Sequence, residues 1–404
     1  MKILFYNHTA QVSGAERVLA MILTRMNREQ FNPVVVCPAG PMADLANSLD
    51  VPCETVAPLT ARFTWRADLV LRYVASFARV IREVRNRVVK IQPDIIHANS
   101  IRAGLVMTFA TAGLDVPVIW HAHDILPRHP FSFAIRLVTF LSARTHVLAV
   151  SQAVANRFNP SFSRSAGTGN PVNVVRNAVD LTRFRQSPED REAIRKEFGL
   201  NDPQPLVGIV GQLTQRKGQL GVIHAFAQVL KQFPDAALLI VGEPLFNHDH
   251  DYKQSLAEAT SALGIYERIS FTGARKDISA VMQSLDVLVV NSWEEPFALV
   301  VLEGLASEIA VVATAVGGTP EMITHRENGW LVPARNDHAL AEGIATLLGD
   351  PRLRQNLAKA GRREVTAHYS AERYIRDIHN FYRQILNVRT DVAVPRAHEV
   401  GERA

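Results

Sequence analysis

The 404-residue chain is poor in cysteine: only Cys37 and Cys53 occur. Neither has the spacing of a metal-ligand set, and two thiols in so long a chain point to a reducing compartment. Long hydrophobic runs are also missing. The stretch from Phe131 to Ala143 is interrupted by Arg136 and is too short to span a bilayer. The first residues, Met1-Lys2-Ile3-Leu4-Phe5-Tyr6, lack a signal peptide's apolar core and cleavage site and read as a strand. No Gly-x-Gly-x-x-Gly follows Tyr6, which argues against a dinucleotide-dependent dehydrogenase. No Walker loop and no convincing Asp-x-Asp at a strand end are found. His248-Asp249-His250-Asp251 mixes imidazole and carboxylate, but in a loop with no second ligand group nearby, so no metal is expected there.

What the chain does have is alternation. Lys2–Tyr6, Pro33–Cys37, Ile95–His97, Val118–His121 and Val147–Val150 read as strands separated by helices such as 15–26 and 69–90. The second half repeats the pattern at Leu206–Val210, Ala237–Val241, Ile269–Phe271, Val287–Val290 and Val311–Ala313. Strands alternating with helices imply parallel sheets. The expected layout is a domain over 1–185, a second over 186–365, a helix over 366–386 packing back on the first, and a frayed tail at 387–404. Ser187 and Pro188 open the second domain as a helix cap and first helical residue.

Charge is unevenly spread. Residues 1–185 hold 21 Lys and Arg against 11 Asp and Glu, a net of +10, and the remainder carries −5. A basic first half suits an anionic partner, although an arginine-rich solvated surface gives the same count. Arg72, Arg79 and Lys90 fall near one azimuth of a predicted helix, among Arg62, Arg66, Arg82, Arg85 and Arg87. Such a face could meet anionic lipid or a phosphate-bearing acceptor, or its arginine stems could simply cover apolar surface.

The densest chemistry lies at 291–321. Glu295 follows a strand and precedes a helix that carries Glu303. Open α/β sheets bind ligands at the carboxyl ends of their strands, where helix N-termini also attract anions. With Glu295 in the turn and Glu303 on the helix, both can face one cleft. Gly211-Gln212-Leu213-Thr214-Gln215-Arg216-Lys217-Gly218 follows the first strand of the second half and places two cations at the same edge. Arginine grips phosphate through paired N–H groups, and lysine adds a compact charge.

These residues, with Ser13-Gly14-Ala15-Glu16-Arg17, Pro93-Asp94-Ile95-Ile96-His97, His121-Ala122-His123-Asp124, Val241-Gly242-Glu243-Pro244 and Gly317-Gly318-Thr319-Pro320-Glu321, resemble glycosyltransferase family 4 over nearly the whole chain. That family comprises retaining, nucleotide-sugar-dependent enzymes of the GT-B fold. The resemblance implies two doubly wound Rossmann-like domains facing a central cleft. It implies transfer of a hexose-type sugar from a UDP- or GDP-sugar to an acceptor hydroxyl, without a metal or other cofactor. Glu303 would bind the donor ribose. Glu295, with N–H groups from Phe297, Ala298 and Leu299, would hold the transferred sugar. Arg216 and Lys217 would bind the diphosphate, Gly14 would approach it from across the cleft, and His123 would contact the sugar near the reacting carbon.

The acceptor is expected to be a glycan, a lipid-linked molecule or an anionic small molecule in polysaccharide, lipopolysaccharide or glycolipid biosynthesis. Nucleic acid is not an expected partner. The expected location is cytoplasmic, peripheral to the membrane if the basic helix meets anionic lipid. His97 reads as structural, and His121 is expected off the face that His123 uses. Ser13 and the pair Ser307-Glu308 stand where the family more often has small residues and glycine. Rival readings are a GT-B epimerase or phosphorylase, and a non-catalytic nucleotide-sugar-binding protein.

Overall fold

Two parallel sheets organise the computed structural model, which describes residues 1–59, 67–158, 172–245 and 249–392, with side chains described except at 67–72 and 387–392. The amino-terminal sheet has seven strands: β1 (Lys2–Tyr6), β2 (Asn32–Pro38), β3 (Cys53–Val56), β4 (Ile95–Ala98), β5 (Val118–Ala122), β6 (Thr145–Ala149) and β7 (Asn173–Val174). Their spatial order is β3-β2-β1-β4-β5-β6-β7. The carboxy-terminal sheet has six: β8 (Leu206–Val210), β9 (Ala237–Val241), β10 (Ile269–Gly273), β11 (Val287–Val290), β12 (Ala310–Thr314) and β13 (Trp330–Val332), in the order β10-β9-β8-β11-β12-β13.

Both sheets are covered by helices on their two faces, so central strands such as β4, β11 and β12 are buried throughout. That is why they read as unbroken apolar runs. Strands β3, β7 and β13 are the ones the sequence pattern does not reveal. Each is an edge strand or nearly so, short and only partly buried.

The order of each sheet reverses once, between β1 and β4 and between β8 and β11. Neighbouring connections diverge there and leave a crevice at the carboxyl ends of the strands. The two crevices face each other across a cleft lined from both halves.

The final helix, Ala371–Val392, returns to the amino-terminal domain. Tyr374, Ile375, Ile378, Phe381, Tyr382 and Ile385 pack with Ile3, Phe5, Val35, Ile95 and Ile119 on one face of that sheet. The spacing is the apolar stripe of an amphipathic helix. The helix runs six residues beyond Leu386, where fraying is expected, because nothing in Asn387–Val392 breaks it: neither proline nor glycine occurs there. Residues 393–404 lie outside the described residues.

Candidate active site

Two loops build the carboxy-terminal wall of the cleft, one after β8 and one after β11. The first contains a single 3-10 turn, Gln215–Lys217, closed by Gly218 at φ +70°. Glycine adopts that conformation without a Cβ penalty, and a Cβ on Gly218 would collide with the carbonyl oxygen of Asn291. The loops are laced together. Asn291 Nδ2 donates to the Gly218 carbonyl at 2.9 Å, the Trp293 amide to the Arg216 carbonyl at 2.8 Å, and Arg216 Nη1 to the Glu294 carbonyl at 3.0 Å.

Glu295 is buried within this unit and accepts from Lys217 Nζ at 2.5 Å and from Ser292 Oγ at 2.9 Å. Its backbone is fixed too: the Gly318 amide donates to the Glu295 carbonyl at 3.0 Å. Gly317, at φ +53°, passes so close to that carbonyl that no side chain fits. Phe297 and Ala298 are buried, and Leu299 opens the helix Leu299–Ala306. Glu303 lies one turn along that helix. The residue is half-buried, and burial of its carboxyl pushes it above the usual carboxylate range, against the pull of Arg17, Arg183 and Lys217.

The opposite wall comes from the amino-terminal domain. Gly14 begins the helix Gly14–Arg25, and a Cβ there would stand 3.8 Å from Leu299 Cδ1 of the facing domain. Ser13 sits at φ −118°, where no glycine is required, and its amide and hydroxyl both donate to Glu16 Oε2, at 2.9 and 2.6 Å. Glu16 thereby braces the loop that approaches the cleft.

His123 follows β5 and lines the cavity with Glu295, Glu303, Arg216, Lys217 and Gly14. Burial pushes its imidazole down to about 3, so the ring is neutral at physiological pH. The His121 ring lies 4.0 Å from it, centroid to centroid, and not on another face. Residues two apart on an extended chain point the same way. Behind them His121 Nδ1 meets His97 Nε2 at 3.0 Å, and His97 Nδ1 meets Tyr382 Oη at 2.8 Å. His97 thus links the final helix to the floor of the site.

The cavity is about 480 Å³ and takes all the predicted donor-side residues except Ala298, which is buried. Its polar lining has unmet capacity: Asn99 Oδ1, Asn177 Oδ1 and His123 Nε2 are buried without a hydrogen-bond partner. Buried polar atoms of this kind are seldom left unpaired, so a polar ligand suits the space. Sequence reasoning missed Asn99, Asn177, His8 and Arg17, which also line it. The signal for Asn99 and His8 was positional: they follow β4 and β1, the strands at the reversal.

Other expected residues fall elsewhere. Arg79 pairs with Glu83 at 3.0 Å and Lys90 with Glu54 at 3.0 Å, both on the exposed side of the helix Ala67–Ile91 and neither lining the cleft. The Arg72 side chain, with Arg62 and Arg66, lies outside the described residues. Glu321 faces the domain boundary. It accepts from the amides of Gln152 and Ala153, each at 3.0 Å, and from Arg176 Nε at 2.9 Å. Asp249 of the acidic–imidazole segment accepts from Gln212 Nε2 at 2.9 Å, and His248 is outside the described residues. Among the described residues no three His, Cys, Asp or Glu side chains are grouped to hold a metal.

The match to known proteins is consistent along the chain. The family described as glycosyl transferases group 1 matches residues 190–364, and that described as Glycosyltransferase Family 4 matches residues 12–183. The chain belongs to the family 4 glycosyltransferases. An uncharacterised glycosyltransferase of Methanocaldococcus jannaschii is 28% identical over 258 residues, 62% of this chain and 64% of that protein. A D-inositol 3-phosphate glycosyltransferase of Nocardia farcinica is 34% identical over 198 residues, 48% of this chain and 43% of that protein. The chain thus matches less than two thirds of the length of these two relatives. The crystal structure of Anabaena HepE in complex with UDP-glucose superposes with a TM-score of 0.81 at 26% identity, covering 95% of this chain and 100% of that one. Open α/β sheets bind ligands at reversals of strand order, and here the cleft between the two sheets is lined from both domains.

Proposed function

We propose that the protein transfers a hexose from a nucleotide diphosphate sugar to an acceptor hydroxyl with retention of anomeric configuration. The observation that carries the reading is the clustering of Lys217, Arg216, Glu295 and Glu303 on one wall of a cleft whose other wall brings Gly14 within side-chain distance. A UDP-sugar is the favoured donor, since HepE was crystallised with UDP-glucose, with a GDP-sugar as the other candidate.

In this reading Glu303 accepts hydrogen bonds from the ribose hydroxyls. Arg216 and Lys217 meet the diphosphate. Glu295, held by Ser292 and the Gly318 amide, accepts from hydroxyls of the sugar. Lys217 then bridges Glu295 and the phosphate, so donor binding extends an ion pair already present. As the bond from the anomeric carbon to the phosphate oxygen breaks, negative charge grows on that oxygen beside the two cations. Preorganised charge of this kind lowers the barrier because nothing must reorient at the moment of reaction. The acceptor oxygen bonds to the anomeric carbon on the face the phosphate leaves, and its proton passes to the departing phosphate. A neutral His123 contacts the sugar as a hydrogen-bonding group and adds no charge of its own.

The test is a screen of nucleotide sugars by thermal shift, followed by NMR of the anomeric proton in the product. A midpoint raised by a UDP- or GDP-sugar and a product of the donor's own anomeric configuration are expected. An inverted product would overturn the stereochemistry, and donor turnover that needs no acceptor would favour an epimerase.

A further inference from the structure

The helix Pro130–Leu141 turns an apolar face to solvent. Its inward contacts come from Ser132, Ile135 and Thr139. Its outward face carries Phe131, Phe133, Leu137, Phe140 and Leu141, the last 71% exposed and the two phenylalanines at its start more than half exposed. Residues 133, 137, 140 and 141 follow helical spacing and form one ridge. A helix covering a globular domain normally faces water with polar residues. Scattered exposed apolar side chains need no explanation, but a contiguous ridge marks an interaction surface.

The segment that carries this ridge is basic. From Ile125 to Val179 the sequence contains no Asp or Glu and six arginines: Arg128, Arg136, Arg144, Arg157, Arg164 and Arg176. Arg128 stands just before the helix and Arg144 just after it. Arg136 and Arg157 donate to backbone carbonyls, of Arg157 and Leu126 respectively, which leaves their charge unneutralised. Arg144 is paired with Asp115 at 3.2 Å and Arg176 with Glu321 at 2.9 Å, so Arg128, Arg136 and Arg157 are the arginines of this stretch without a carboxylate partner among the described residues. By contrast, the exposed cations Arg79 and Lys90 on the helix Ala67–Ile91 each face a carboxylate.

An apolar ridge flanked by Arg128, Arg136 and Arg157, none of them paired with a carboxylate among the described residues, matches the interface of an anionic bilayer, where apolar side chains enter the headgroup–acyl boundary and cations meet lipid phosphates. Twelve residues reach only about 18 Å, too short to cross, and no helix among the described residues is long and apolar enough to span a membrane. The loop 123–129 leads from His123 at the cleft directly into this helix. We propose that the helix Pro130–Leu141 lies in the plane of an anionic membrane, with Phe133, Leu137, Phe140 and Leu141 inserted and Arg128 on the headgroups, so that the cleft opens beside the lipid surface. The proposal does not depend on the donor or the stereochemistry of transfer.

Flotation of the full chain with vesicles tests it. Phosphatidylcholine vesicles containing phosphatidylglycerol should carry the protein upward at low salt, and pure phosphatidylcholine should not. Raising the salt should weaken the association. Phe133→Ser and Leu141→Ser, at exposed positions that leave the core intact, should each lower the bound fraction about tenfold, the loss expected for one apolar side chain no longer buried. Arg128→Glu should do so for anionic vesicles. Circular dichroism melts of the variants should match the parent. Wild-type protein that stays at the bottom with anionic vesicles at low salt, or serine variants that float as well as the parent, would overturn the proposal. So would a wild-type dimer that Leu141→Ser converts to monomer, since a second copy would then be the occupant of this face.

Discussion

In the proposed donor site, Glu303 is the side chain whose burial bears most directly on ligand binding. Burial raises its carboxyl above the ordinary range, and hydroxyl donors from a ribose would stabilise the ionised form. Binding therefore favours the deprotonated carboxylate. Donor affinity should be constant while Glu303 is ionised and should weaken as pH falls through its raised value, with proton release on binding in that window. Calorimetry of UDP binding in buffers of different ionisation enthalpy reads both effects. Glu303→Gln should cost roughly ten- to hundredfold in affinity, the range for hydrogen bonds to a charged group, and should flatten the acid limb. Unchanged affinity in that variant would remove Glu303 from the ribose.

Glu308 makes a different point at the same scale. It sits just past the helix Leu299–Ala306 at φ +57°, where a left-handed residue ends the helix and glycine is the usual choice. Glu308→Gly should relieve that strain and stabilise the fold by up to about 1 kcal/mol in denaturant titrations, with sugar transfer unchanged. The need for glycine at this position was legible, since Ser307-Glu308 stands out in the sequence. The Lys217–Glu295 ion pair was not: the two residues are 78 apart, and only the folded loops bring them to 2.5 Å.

At the scale of elements, legibility followed burial. Strands β1, β8, β9 and β11 are central and apolar, and they coincide with the runs read from sequence. Short, half-buried β3 and β7 offered too few residues for any period to register. The final helix was legible through its stripe at 375, 378, 382 and 385, but what Tyr382 meets was not. Its hydroxyl, which burial keeps protonated, reaches the buried His97 at 2.8 Å, and His97 in turn reaches His121 beneath the site. Tyr382→Phe removes a buried hydrogen bond and leaves the imidazole nitrogen unpaired, at a cost of about 1–3 kcal/mol. Thermal melts should register that loss. If the chain of side chains also fixes the histidine tautomers, the NMR signals of the His97 and His121 rings should shift together in this variant. A shift confined to His97 would mean that Tyr382 only packs.

The whole molecule depends on how two rigid sheets are held at their facing crevices. Position on a sheet edge was readable from motif order, but the relative placement of the domains depends on contacts between residues remote in sequence. Glu321 makes three of these. One carboxylate from the carboxy-terminal domain accepts from the Gln152 and Ala153 amides and from Arg176, all of the amino-terminal domain, and its side chain is only 15% exposed. The Tyr369 hydroxyl donates to the carbonyl of the same residue, at 2.5 Å. Charge-assisted bonds of this kind are about twice as strong as neutral ones, and removing their acceptor strands two amides and a guanidinium near the boundary. Glu321 does not line the cavity, so Glu321→Ala should leave UDP affinity within about threefold of the parent while loosening the domains. A larger radius of gyration by small-angle scattering is expected, together with a transfer rate lowered about tenfold, because catalysis needs donor and acceptor walls in register within a fraction of an ångström. Glu321→Gln keeps one acceptor oxygen and should recover part of the rate. If Glu321→Ala instead lost UDP binding as steeply as Glu303→Gln, Glu321 would belong to the donor site and the domains would be held by other contacts.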